Sequence, residues 1–122
     1  GLFAGGGGMF LGTRIPIAVA LELALTGDMI DAERAHTLGL VNLVVPGEEV
    51  LDAAFSLAAR LTDNAPLAMA ATKRLMREAL DSTREQVWLQ QDELRPALFD
   101  SNDAKEGAQA FIQKRRPIGT GT

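Results

Sequence analysis

The sequence has no cysteine, no tyrosine, a single histidine and a single tryptophan. Without cysteine there is neither a disulfide framework nor a thiolate metal site, and the chain agrees with a reducing, cytoplasmic setting. An excess of positive charge is missing too: 12 Lys and Arg stand against 16 Asp and Glu, a net charge of −4. A nucleic-acid surface needs clustered positive charge, so that partner class is not expected. The one dense basic cluster is Lys114-Arg115-Arg116. No run of about 18 apolar residues occurs, so no membrane-spanning helix is expected. The opening Gly1-Leu2-Phe3-Ala4 has no basic n-region and no initiator Met. It does not read as a signal peptide, and a processed or truncated chain is expected.

What is present points to helices. At 122 residues the chain fits one domain or part of one, and can bury roughly two-thirds of its unfolded surface. Ala, Leu, Glu, Gln, Lys and Arg dominate from Val50 onward, so the expected class is mostly α. The first twelve residues hold six glycines and read as a loop inside a larger fold. Pro16 to Leu25 reads as a buried helix stopped by Gly27, and a second helix begins at its N-cap Asp31 and stops at Gly39. Leu40 to Val45 reads as one short strand ended by Pro46-Gly47. Val50, Ala54, Leu57, Ala58 and Leu61 then recur at helical spacing, and Asn64-Ala65-Pro66 starts a further helix striped by Leu67, Ala70, Ala71, Leu75 and Ala79. Ser82 and Glu85 match a capping box ahead of Val87, Gln91, Leu94 and Leu98. A last helix runs from about Asp103 to Lys114, placing Lys114 in its final turn, and the tail Ile118 to Thr122 is expected to fray. A lone strand has no partner within the chain. It either pairs with strands outside this sequence or runs as an extended connector.

Read as chemistry alone, these residues form no catalytic constellation. The glycine run fails as a phosphate loop, because Gly8 is followed by Met9-Phe10 rather than Lys-Ser/Thr. It fails as a dinucleotide fingerprint, because Phe10 and Leu11 stand where the third glycine is needed. His36 has no second His and no Cys to share a metal, and reads as a solvent-facing or packing residue. Ser56, Ser82 and Ser101 lack a nucleophile-elbow context. Glu48-Glu49 and Asp92-Glu93 are sequence neighbours that face different directions on a helix, and read as solvated faces. Trp88 reads as a packing or interface residue.

The order of short motifs adds more. Gly1-Leu2-Phe3-Ala4-Gly5-Gly6-Gly7-Gly8 resembles the G-x-x-P-G-x-G-G loop of the enoyl-CoA hydratase/isomerase (crotonase) family. Leu25-Thr26-Gly27-Asp28-Met29-Ile30-Asp31-Ala32 resembles its L-T-G-x-x-[ILF]-x-A, and Ala35 through Asn42 its A-x-x-x-G-L-V-x. Val45-Pro46 follows in place, and Pro66 through Lys73 resembles P-x-A-x-x-x-x-K. Asp103 through Pro117 resembles D-x-x-E-G-x-x-A-F-x-x-K-R-x-P. Six pieces in family order cover nearly all of the chain. Two positions depart from the pattern: Ala4 replaces the usual Pro, and Met9 sits where many hydratases carry Thr.

The resemblance implies the C-terminal portion of an α/β fold of repeated ββα turns, with residues 1–46 ending the core and residues 47–122 forming the helical region used for trimer assembly. It implies an acyl-CoA thioester as substrate with no cofactor besides, and an enoyl-CoA hydratase adding water to a 2-enoyl thioester in fatty acid metabolism. Alternatives are an isomerase, decarboxylase, hydrolase or dehalogenase on the same fold, or a non-catalytic helical assembly and binding module. The family's oxyanion-hole donors and acid-base glutamates lie upstream of the glycine loop, so no catalytic residue is expected in this chain. Substrate-binding positions are Gly5, Gly6 and Gly7, where backbone passes close to the reacting carbons, and Lys114, whose ammonium reaches the phosphorylated adenosine end of CoA. The implied partners are the missing N-terminal half and further copies in a homotrimer or hexamer, with no nucleic acid and no membrane.

Overall fold

A computed structural model describes all 122 residues, which divide into two compact units, Gly1–Val50 and Leu51–Thr122. The first unit opens with a 3-10 helix, Gly6–Thr13, followed by α1 (Ile17–Thr26) and α2 (Ala32–Thr37). The second holds α3 (Val50–Thr62, beginning at the boundary residue), α4 (Pro66–Glu78), α5 (Arg84–Phe99) and α6 (Asn102–Ile112). No helix is long and apolar enough to cross a membrane.

Local chemistry explains most helix ends. Gly27 stops α1 in the left-handed conformation at φ +76°, its N–H donating to the Leu23 carbonyl. The Asp31 carboxylate caps α2, accepting the Arg34 N–H at 2.7 Å. At the other end Gly39, at φ +79°, closes a Schellman turn: Leu40 N–H donates to the Ala35 carbonyl and Gly39 N–H to that of His36. Pro66 takes the first position of α4, where its missing N–H costs nothing. Along α5 the residues Val87, Gln91, Leu94 and Leu98 are half-buried, as their spacing predicts.

Four expectations need correction. Leu40–Val45 forms no strand, with bends at Leu40–Asn42 and irregular chain through Val45, because nothing within the chain supplies the ladder its amides and carbonyls require. The glycine segment is not open loop throughout, since Gly6–Thr13 winds into a 3-10 helix. The capping box of α5 sits one residue later than Ser82: Thr83 is the N-cap, its hydroxyl accepting the Gln86 N–H while the Gln86 side chain accepts the Thr83 N–H at 2.8 Å. Gln serves as well as Glu in this exchange, so two overlapping frames were available. The tail does not fray either. It folds back onto the start of α6, as described below. Pro96 inside α5 is also unanticipated; it removes one ladder bond, the N–H that would reach the Asp92 carbonyl.

Apolar burial is sparse. Only Ile15 and Ala20 in the first unit, and Ala71 and Ala110 in the second, are buried hydrophobic residues. On α6 the inward Ala110 is 1% exposed while its neighbour Phe111 is 86% exposed. Trp88, Phe55, Phe99 and Met76 likewise face outward. Exposure of this breadth is more than scattered apolar surface residues account for.

Candidate functional site

The glycine segment is shaped by backbone rather than side chains. Gly5 N–H folds back to the Phe3 carbonyl at 2.7 Å, and Gly5 then caps the 3-10 helix in an extended conformation. Gly6 follows at φ +58°, where a side chain would be strained. The Gly8 N–H donates to the Gly5 carbonyl, so the amides of Gly6 and Gly7 precede this first turn of the ladder. Gly7 differs from its neighbours. Its φ is not positive, and a Cβ added there would meet nothing within 4 Å. Nothing inside the chain requires glycine at that position. The three predicted positions Gly5, Gly6 and Gly7 thus form one continuous stretch in the first unit, and Lys114 belongs to the second.

Lys114 does not sit in the last turn of α6. The helix ends at Ile112, Gln113 is the C-cap, and Lys114 follows at φ +52°, the one residue other than glycine with positive φ in the chain. Its N–H donates to the Phe111 carbonyl at 3.2 Å, and the Arg115 N–H to that of Ala110 at 3.1 Å. These two bonds are a complete Schellman turn, with lysine in the left-handed position that glycine usually fills.

Beyond Lys114 the chain is fastened twice. The Arg115 guanidinium grips Glu106 through two nitrogens, one at 2.8 Å, while its Nε donates to Gln113 Oε1 at 2.7 Å. Glu106 Oε1 also accepts the Ile118 N–H at 3.0 Å. Further along, Asp103 Oδ1 accepts the Thr120 N–H at 2.6 Å and Asp103 Oδ2 accepts the Gly121 N–H at 2.9 Å. The Thr122 carbonyl accepts the amides of Asn102 and Asp103 at the start of α6. The tail therefore satisfies two of the orphan donors of the helix it follows. Ser101 adds the side-chain cap, its Oγ accepting the Ala104 N–H at 3.0 Å.

These contacts set the charges. The Arg115 guanidinium, with help from the Ile118 N–H, lowers the Glu106 carboxyl from its ordinary 4.5 to about 2. The Thr120 amide, joined by Gly121 N–H and the Thr120 hydroxyl, holds Asp103 below its usual value despite burial. Glu106 in turn raises Arg115. Of the three adjacent cations, Arg115 is committed to Glu106, Arg116 approaches Asp63 at 3.7 Å, and Lys114 makes no ion pair or side-chain hydrogen bond. The sequence reading did not identify Asp103 and Glu106 as anchors of the returning tail. The available signal was the polar Gly119-Thr120-Gly121-Thr122, which offers closely spaced amides to a carboxylate. His36 is exposed, and no group of three or more His, Asp and Glu side chains is placed to hold a metal.

Comparison with known proteins covers the whole arrangement. The family model described as enoyl-CoA hydratase/isomerase matches residues 1–120. A carnitinyl-CoA dehydratase of Citrobacter koseri is 38% identical over 120 residues, spanning 95% of this chain and 46% of that protein. Among solved structures, an enoyl-CoA hydratase of Mycobacterium tuberculosis superposes with a TM-score of 0.93 at 52% identity, covering all of this chain and 49% of the other. One from Mycobacterium marinum gives 0.93 at 53% identity with the same coverage. The chain thus spans about half the length of the relatives it matches.

Proposed function

The chain belongs to the enoyl-CoA hydratase/isomerase family, and on that premise we propose that it is the C-terminal half of an enoyl-CoA hydratase, adding water to a 2-enoyl-CoA thioester in fatty acid metabolism. In this reading the oxyanion hole and the two acid-base glutamates belong to the preceding half, and this chain supplies ligand-binding backbone and the grip on the CoA end. Gly5, Gly6 and Gly7 leave room beside the reacting carbons. Gly7 supports the idea most directly, since the chain itself gives no reason for glycine there. No cofactor is needed, because fixed N–H dipoles can stabilise the enolate-like charge.

The observation that carries the proposal is the backbone of Lys114. A left-handed conformation costs an L-residue roughly 1–2 kcal/mol, a cost glycine escapes. A lysine kept at φ +52°, next to an arginine already committed elsewhere, is kept for its free ammonium. As a point charge it suits the 3′-phosphate of CoA. In a full-length protein with this C-terminal half, Lys114→Ala is expected to weaken CoA binding by roughly 1 to 3 kcal/mol. The loss should be much smaller with dephospho-CoA, which lacks that phosphate. Calorimetric titration of both ligands decides; equal losses reduce Lys114 to a helix-end charge.

A second reading, assembly, rests on exposed area. Within the second unit Phe55, Trp88, Phe99 and Phe111 are each more than half exposed, more large apolar surface than a closed monomer shows. Such an excess favours burial against the N-terminal half and against further copies in a trimer or hexamer. Sedimentation of the chain as a compact monomer indifferent to its N-terminal half would refute this second reading.

A further inference from the structure

Lys114 is flanked by a structure that does more than end a helix. Three elements converge on its backbone: the Schellman bonds from Lys114 and Arg115 to α6, the Arg115–Glu106 grip, and the Ile118 N–H on the same carboxylate. A left-handed lysine held by the turn alone can relax to an ordinary conformation, swinging its long side chain to a new direction. Here the residue after it is pinned to α6 through its side chain, and four residues beyond Lys114 the main chain is pinned to the same group. Rotation about Lys114 has to break both contacts.

We propose that Glu106 and Arg115 are positioning residues that hold Lys114 in its left-handed conformation and so aim its ammonium at the CoA phosphate. The proposal rests on the reading of Lys114 as the phosphate contact and extends it to two residues that touch no ligand. It also assigns different work to the adjacent cations. Arg115 spends its guanidinium on Glu106, Gln113 and the Arg116 carbonyl and Arg116 approaches Asp63 at 3.7 Å, so Lys114 is the one of the three cations with no ion pair.

The sign of one substitution separates positioning from plain electrostatics. Glu106 is negative and is bound to Arg115, the residue next to Lys114. If only charge mattered, Glu106→Ala would remove a repulsion and tighten binding of anionic CoA. If Glu106 positions Lys114, the same change weakens it. The experiment titrates CoA and dephospho-CoA into full-length protein in four forms: wild type, Glu106→Ala, Lys114→Ala and the double variant. Glu106→Gln, which keeps an acceptor for Arg115 and Ile118, is the conservative rescue. We expect Glu106→Ala to weaken CoA roughly 3- to 10-fold, the scale of lost preorganisation at one charged contact. Dephospho-CoA should bind the same protein unchanged, which also shows that the site is folded. Glu106→Gln should recover part of the loss, and Glu106→Ala should add nothing in the Lys114→Ala background. Unchanged or tighter CoA binding by Glu106→Ala, while Lys114→Ala weakens it, overturns the positioning role and leaves the Lys114 reading intact. Equal losses for both ligands overturn it as well, since that is general damage. If Lys114→Ala does not alter the preference for CoA over dephospho-CoA, the underlying reading fails and the positioning role falls with it.

Discussion

Replacing Lys114 by glycine sets stability against binding. In the observed structure Lys114 lies at φ +52° and closes a Schellman turn. Glycine in that position is released from the left-handed penalty of roughly 1–2 kcal/mol. Against this stands the greater backbone freedom that glycine brings to the unfolded chain, about 0.5–1 kcal/mol. The turn's two hydrogen bonds use main-chain atoms only, so neither is lost. The balance is a net stabilisation of about 0.5–1 kcal/mol, which for a full-length protein of about twice this length raises Tm by about 1–4 °C. Lys114→Ala keeps a Cβ and should gain nothing. Thermal or urea unfolding of full-length wild type, Lys114→Gly and Lys114→Ala gives the order directly, and calorimetry on the same samples gives CoA affinity. The glycine variant should be the most stable of the three and should bind CoA as weakly as the alanine variant. A Tm for Lys114→Gly at or below wild type would falsify the claim that this backbone is strained. Undiminished CoA affinity in that variant would remove the functional reason for tolerating the strain.

Two more outcomes are expected. Glu106 titrates near 2 when folded against 4.5 ordinarily, so its depressed value adds stability that is complete above about pH 5 and drains away as pH falls toward 2; the stability difference between wild type and Glu106→Gln, followed by urea unfolding, should shrink across that window, and a flat difference would rule out the Arg115 grip. Thr83→Ala should destabilise by about 1 kcal/mol through loss of the α5 cap, whereas Ser82→Ala should stay within a few tenths; the reverse order in denaturant melts would restore the capping frame based on Ser82.

Helix stops and starts were legible because each depends on residues within a turn of itself. Asp31 reaches Arg34 N–H, Gly27 and Gly39 accept left-handed backbone, and Pro66 opens α4, all from rules with a range of three or four residues. The motif order that marks the family is equally local, each piece being a short run. The capping frame at Ser82-Thr83 slipped for the same reason: two adjacent hydroxyl residues each had a Glu or Gln three residues on to accept its backbone N–H, and only the packed chain selected Thr83.

What the sequence alone could not decide was everything that closes over distance. Leu40–Val45 has the composition of a strand, yet a strand exists only with a neighbour to bond, and this chain offers none. Asp103 and Glu106 looked like acidic residues suited to the positive end of α6. Their partners Thr120, Gly121, Arg115 and Ile118 lie 9 to 18 residues away, beyond the reach of helical periodicity or capping rules. The left-handed backbone of Lys114 belongs with them. No propensity places a lysine there, because the isolated residue prefers the right-handed region. Only the tertiary structure, with the tail returned to the start of α6 and Arg115 fastened to Glu106, shows that conformation held in place.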